Sequence, residues 1–140
     1  MVYLTRRYHF SAGHRLHNEA LSEEENRRLY GKCNNPHGHG HNYVLEVTVA
    51  GPINPATGMV CNLAVLDRIV EREVLEPFDH KNLNLDVASF RQRVPTTENL
   101  SVEIFELLRQ KLGNECGNGV RLERVRLQET EANSVSYDGT

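Results

Sequence analysis

The stretch GKCNNPHGHGHNYVLEVTVAG, residues 31 to 51, decides how the rest of the chain is read. Its second half places Tyr43, Leu45, Val47 and Val49 on one face of an extended backbone and Glu46 and Thr48 on the other, the period of two expected of a half-buried strand. Its first half alternates His37, His39 and His41 with glycines directly ahead of that strand. Residues two apart on an extended chain point the same way, so His39 and His41 can converge on one ion. His37 and His39 form a second pair of equal spacing and parity, and periodicity does not choose between them. A catalytic zinc keeps three protein ligands and one open position, so a third ligand must come from elsewhere. His14, in FSAGHRLH at the end of the first strand, is the best placed, with His17 as its local competitor. Taken alone, HGHGH reads equally well as a surface loop that binds metal incidentally.

Working outward, residues 2 to 10 (VYLTRRYHF) are rich in β-branched and aromatic types and predict a strand, although Arg6 and Arg7 spoil its alternation. Asn18 to Leu29 is polar, with Glu23, Glu24 and Glu25 and no apolar stripe, and reads as a solvated loop with at most a helical turn. After a turn region punctuated by Gly51, Pro52, Asn54, Pro55 and Gly58, Asn62 can cap a helix carrying Leu63, Leu66, Ile69, Val70 and Val74, ended by Pro77. A second helix follows Pro95, capped by Thr96 or Thr97, striped by Leu100, Ile104, Leu107, Leu108 and Leu112, and stopped at Gly113. VRLERVRLQET and NSVSY form a hairpin, and the opposite parity of Leu122 and Val125 points to a bulge between them. The order strand, strand, helix, helix, strand, strand predicts an α+β fold. It is a four-stranded antiparallel sheet with two helices on one face, in a single domain over residues 1–140. Such a sheet leaves two unpaired edges, which assembly by sheet closure would cover.

The chain has 140 residues, a formal charge of 16 − 19 = −3 and 39% hydrophobic residues, which suits one soluble domain with a substantial core. No clustered excess of Lys and Arg marks a nucleic-acid surface. MVYLTRRYHF has no apolar leader core, and no run approaches the roughly 18 apolar residues of a membrane span, so a cytoplasmic location is expected. Cys33, Cys61 and Cys116 are an odd number at wide spacing without a CxxC pair, which predicts reduced thiols in a reducing compartment.

Further residues carry chemistry. Cys33 lies in a turn-rich, ligand-rich segment where a thiolate can act as base or nucleophile; it reads alternatively as a fourth structural zinc ligand or an inert apolar side chain. Asp79 can fix the tautomer and basicity of His80, though a DH pair also suits a simple helix-end turn. Glu129 shares a face with Val125 and Leu127, so its partly buried carboxylate needs a partner, either a ligand with amidine-like N–H donors or an Arg. Thr96, Thr97 and Glu98 are by default a helix cap and a first-turn acid. Arg6, Arg7, Arg15 and Lys32 are candidate phosphate partners, and nothing in the sequence selects among them.

Read together, FSAGHRLH, GKCNNPHGHGHNY, GMVCNL, FDHKNL, TTEN and QET resemble the 6-pyruvoyl-tetrahydropterin synthase family over nearly the whole chain. The resemblance implies zinc ligands at His14, His39 and His41, a proton-abstracting Cys33 and a relay of Asp79 and His80. It implies also a pterin-anchoring Glu129, with Thr97 and Glu98 completing the pterin site. It implies a T-fold, or tunnelling fold, whose sheets close a barrel in a trimer, and trimers that pair into a homohexamer. The implied enzyme is a zinc-dependent lyase of tetrahydrobiopterin biosynthesis. It converts 7,8-dihydroneopterin triphosphate to 6-pyruvoyl-tetrahydropterin and releases inorganic triphosphate, with one Zn²⁺ per chain and Mg²⁺ accompanying the triphosphate. The implied partner is this small molecule, with no nucleic acid or membrane. A sister family, 6-carboxy-tetrahydropterin synthase of the 7-deazaguanine (queuosine) pathway, shares scaffold and substrate, typically with three residues between its cysteine and HGH. Here Cys33 and His39 enclose five residues, which favours the pyruvoyl reading, while His37-Gly38-His39 also satisfies the shorter spacing. A zinc- or pterin-binding module without turnover is the third reading.

Overall fold

A computed structural model describes residues 1–140. Strand β1 (Val2–His14) pairs antiparallel with β2 (His39–Gly51) along its whole length, from Val2 opposite Gly51 to His14 opposite His39. The chain then forms α1 (Glu23–Tyr30) between these strands and, after β2, α2 (Leu63–Val70), a π-helical turn Glu71–Leu75 and α3 (Glu76–Phe78). A two-residue β3 (Lys81–Asn82), α4 (Leu83–Asp86) and the long α5 (Thr97–Glu115) precede the hairpin of β4 (Arg121–Thr130) and β5 (Asn133–Tyr137). The sheet order is β3-β1-β2-β4-β5.

The sheet thus has five strands, not the four expected, and is not wholly antiparallel, because β3 runs parallel to β1 beside Ala12 and Gly13. Two residues hold no alternation to read, so β3 exists only through its position. β1 also continues past Phe10, since small residues there let the two backbones approach closely: a Cβ on Gly13 would stand 3.3 Å from the His39 carbonyl oxygen. The bulge expected in β4 is present: Thr48 faces Arg124 while Val49 faces Leu122, so Glu123 is the extra residue.

Phe10, Tyr43, Leu45, Val47, Val125 and Leu127 of the sheet pack against Leu66, Ile69, Leu100, Ile104, Leu108 and Leu112 of α2 and α5 in one continuous buried cluster. Each fully buried Leu or Ile there stabilises the fold by about 1.5–3 kcal/mol. The opposite face of the sheet carries Thr5, Arg7, Glu46, Thr48 and Arg126, joined by the 2.8 Å Thr5–Thr48 hydroxyl contact and by Glu46, which lies 3.4 Å from Arg7 and 3.5 Å from Arg126. No helix is long and apolar enough to cross a membrane.

Three further expectations change. Residues 23–30 are a helix rather than a loop: lacking an apolar stripe, it is held by a capping box in which Ser22 Oγ accepts from the Glu25 amide and Glu25 reaches back to the Ser22 amide. Gly113 lies inside α5, which ends two residues later with Cys116 at its cap, and Pro77 sits within α3, one residue before the helix ends at Phe78. Cys61 and Cys116 form a disulfide across 55 residues, with Cα atoms 5.2 Å apart, so Cys33 is the one free thiol. Their wide spacing concealed that the entry to α2 and the end of α5 meet in space.

Candidate metal centre

The register of β1 and β2 builds the centre. His14 stands opposite His39, and His41 stands opposite Ala12, so all three imidazoles share the helix-covered face at one end of the sheet. β4 lies on the other side of β2 and brings Glu129, near its end, to the same place. One ligand atom from each of His14, His39, His41 and Glu129 lies within 4.8 Å of the others. His14 Nε2 is 3.1 Å from His39 Nε2, and His41 Nε2 is 2.8 Å from Glu129 Oε1.

These separations suit ligands that share an ion, since tetrahedral donors about 2.1 Å from zinc stand roughly 3.4 Å apart. The His41–Glu129 approach, though short, lacks hydrogen-bond geometry, and His41 Nε2 is buried with no hydrogen-bond partner. His14 Nδ1 donates to the Pro95 carbonyl oxygen at 2.7 Å, which leaves the Nε2 lone pair directed at the cluster. Burial pushes the pKa of His14 and of His41 below the ordinary imidazole value, so both stay neutral, as metal ligands must. Burial pushes Glu129 upward, but the Thr97 hydroxyl, the two imidazoles and the Asn133 amide (3.3 Å) outweigh it and keep the group a carboxylate.

Gly38 decides which histidines converge. Its φ of +75° breaks the extended alternation between His37 and His39, and a Cβ there would stand 2.9 Å from the His14 carbonyl oxygen. His37 therefore turns away into a neighbouring cleft, together with His17, whose Nδ1 faces Asn34 Nδ2 at 2.9 Å.

The other expected site residues divide. Thr97 is buried and donates to Glu129; Glu98, next to it, is exposed in the first turn of α5. Cys33 is not among the clustered ligands; it sits on the 3₁₀ turn Gly31–Asn34, fastened to the chain just beyond His14 by the Leu16 amide donating to Cys33 O at 2.9 Å. Asp79 and His80 do pair, at 3.0 Å, but at the outer edge of β1, where the Ser11 amide donates to Asp79 at 2.9 Å and the His80 side chain is 82% exposed. The Ser11 hydrogen bond, ahead of the contribution of His80, holds Asp79 below the usual carboxylate range. His80 lines a depression of about 330 Å³ with Ser11, Gly13, Gly40 and Asn42.

Two contributors escaped the sequence reading. Tyr43 lies two residues beyond His41 on the same face, fully buried with its hydroxyl unpartnered and its ring 5.7 Å from that of His41, and the period of two could have revealed it. The Pro95 carbonyl is a backbone group and leaves no side-chain signal.

Comparison with known proteins gives a consistent result. The family model described as 6-pyruvoyl tetrahydropterin synthase matches residues 3–140. The Homo sapiens 6-pyruvoyl tetrahydrobiopterin synthase is 52% identical over 136 residues, which cover 97% of this chain and 90% of that one. A solved structure of the Caenorhabditis elegans 6-pyruvoyl tetrahydropterin synthase superposes with a TM-score of 0.90 at 42% identity, covering 99% of this chain and 96% of the other. A putative 6-carboxy-5,6,7,8-tetrahydropterin synthase of Archaeoglobus fulgidus is 38% identical over 93 residues, 66% of this chain and 69% of that one.

Proposed function

The chain belongs to the 6-pyruvoyl tetrahydropterin synthase family, and on that premise we propose that it is the lyase that converts 7,8-dihydroneopterin triphosphate to 6-pyruvoyl-tetrahydropterin and inorganic triphosphate. The observation that carries this reading is the convergence of His14, His39, His41 and Glu129 within 4.8 Å, with Thr97 behind the carboxylate. The reaction balances without an external oxidant: the C–O bond to triphosphate breaks, a neighbouring carbon loses a proton, and the remaining hydrogens redistribute within the pterin.

His14, His39 and His41 would hold a Zn²⁺, which would supply Lewis acidity to the reaction. Glu129, kept anionic by its neighbours, accepts the amidine-like N–H donors of the pterin, with Thr97 and Glu98 completing that pocket. Cys33, as thiolate, takes the proton from the side chain, and the Asp79–His80 pair handles further transfers. That pair closes one end of the free edge of β1, so its role belongs to an assembly in which a second copy adds along the edge beside it. Sheets closing a barrel in a trimer, and trimers pairing into a hexamer, give such a seam. Residues 1–140 act as one domain, Mg²⁺ accompanies the triphosphate, and the enzyme works in the cytoplasm.

The test is to incubate zinc-loaded protein with 7,8-dihydroneopterin triphosphate and Mg²⁺ and identify the pterin by mass spectrometry. A pyruvoyl side chain is expected, and Cys33→Ala should keep zinc and fold while losing triphosphate release. A carboxyl side chain would transfer the chain to the sister activity, and unchanged substrate would leave a binding module.

A further inference from the structure

A cleft of about 660 Å³ opens beside the metal centre rather than in it. Three of its walls begin one residue from the centre: Arg15 follows His14, Gly38 precedes His39, and Val94 precedes Pro95, whose carbonyl holds His14. Neighbouring Cα atoms are about 3.8 Å apart, so the backbone that frames the cleft is continuous with the backbone that holds the cluster, although none of the four clustered ligands lines the cleft.

Its charge is one-sided. Arg15, Arg91 and Arg93 line it against a single carboxylate, Glu19. Arg93 is partly committed, with one terminal nitrogen 2.8 Å from Glu103 and the guanidinium over the Phe90 ring at 5.1 Å. Arg15 spends its Nε on the Asn34 carbonyl at 3.1 Å and keeps its terminal nitrogens free, and Arg91 makes no ion pair. His17 uses Nδ1 as the acceptor toward Asn34, so Nε2 carries the hydrogen and offers a further donor. Of the other candidate cations, Arg6 is paired with Asp67 at 3.1 Å, Arg7 lies 3.4 Å from Glu46, and Lys32 does not line the cleft.

We propose that this cleft seats the polyphosphate chain of the substrate, with Arg15 and Arg91 as its charge partners and His17 as an added donor. The proposal rests on the lyase reading above and extends it from the pterin and side-chain positions to the leaving group. The cleft adjoins the centre through Arg15, Gly38 and Val94, and its planar guanidinium forks match phosphate oxygens.

Inorganic triphosphate with Mg²⁺ is the probe, titrated calorimetrically into the full-length, zinc-loaded protein and used in parallel as a product inhibitor. A charge-assisted hydrogen bond of this kind corresponds to roughly ten- to a hundredfold in affinity. Arg91→Gln and Arg15→Gln should therefore each weaken triphosphate binding at least about tenfold and raise KM for the triphosphate substrate in step. Binding of dephosphorylated dihydroneopterin should not change, and Arg91→Lys should restore part of the loss. Arg109→Gln removes an equal charge from α5 outside this cleft and should leave triphosphate binding as it was. Unaltered affinity in both cleft variants would overturn the proposal, as would an equal loss in Arg109→Gln, which would mean that net charge alone governs binding. Arg91-dependent triphosphate binding by a protein that yields no pyruvoyl product would overturn the lyase reading and leave the cleft standing.

Discussion

Asn34→Ala should loosen the turn that carries Cys33 without touching the metal ligands. The Asn34 side chain is nearly inaccessible, and its Nδ2 donates to the Leu16 carbonyl at 2.8 Å and to His17 Nδ1 at 2.9 Å. Alanine removes both bonds and leaves two sheltered acceptors without donors. At about 1 kcal/mol per net hydrogen bond, plus part of the cost of an unpaired group, the loss comes to about 2–4 kcal/mol. A chain of this length loses roughly 2–4 °C in Tm per kcal/mol, so a fall of roughly 5–15 °C is expected by differential scanning calorimetry. The local readout is the rate at which iodoacetamide alkylates Cys33, the one free thiol; it should rise as the turn opens more often. Zinc per chain should not change. Asn34→Asp should fare no better, because it sets a carboxylate oxygen against the Leu16 carbonyl. A Tm within about 2 °C of the parent together with an unchanged alkylation rate would refute the idea that this amide fastens the turn.

Elsewhere, His39→Ala should lower bound zinc below one per chain by elemental analysis, whereas His37→Ala should not; zinc loss from His37→Ala alone would reverse the ligand choice. Burial raises the Asp67 carboxyl, but Tyr8, donating at 2.7 Å, and Arg6 outweigh it, so its folded pKa lies below the ordinary value. That contribution to stability is present above about pH 4 and is lost as pH falls through that value toward the lower folded pKa. Urea titrations of Asp67→Asn should show a shallower loss of stability across that acidic window than the parent shows. Reducing the Cys61–Cys116 disulfide frees a loop of 55 residues, which the chain-entropy relation equates to about 4 kcal/mol. Thermal scans with and without reductant measure it, and coincident transitions would show that the cross-link does not stabilise the fold.

Much of this was legible because period and parity survive folding. The alternation from Tyr43 to Val49 located β2 and its buried face, and the mismatch of Leu122 and Val125 located the bulge. α5 followed its stripe but outran the expected stop, since a glycine inside a well-packed helix costs only about 1 kcal/mol. α1 was missed because Asn26, not an apolar stripe, secures it: its side chain bonds to Asn18, Leu21 and Ser22. In the site, parity placed His39 and His41 on one face but could not exclude His37, because the break is a backbone angle at Gly38. The basic cleft was beyond reach, since Arg15 and Arg91 are 76 positions apart and only the fold makes them neighbours.

The short β3 has a consequence for anything that adds to the edge of β1. Ser11 has its N–H engaged by Asp79 and its carbonyl by the His80 amide, at 2.9 and 2.6 Å, and β3 occupies Ala12 and Gly13. By alternation, the outward backbone groups left over are those of Tyr3, Thr5, Arg7 and His9. An incoming strand could extend along these and no further, so β3 with the Asp79–His80 corner limits the length over which such a strand could pair. A strand that filled the free stretch would end near the exposed imidazole of His80. One small feature would therefore limit where a neighbouring chain pairs and leave it near the His80 imidazole.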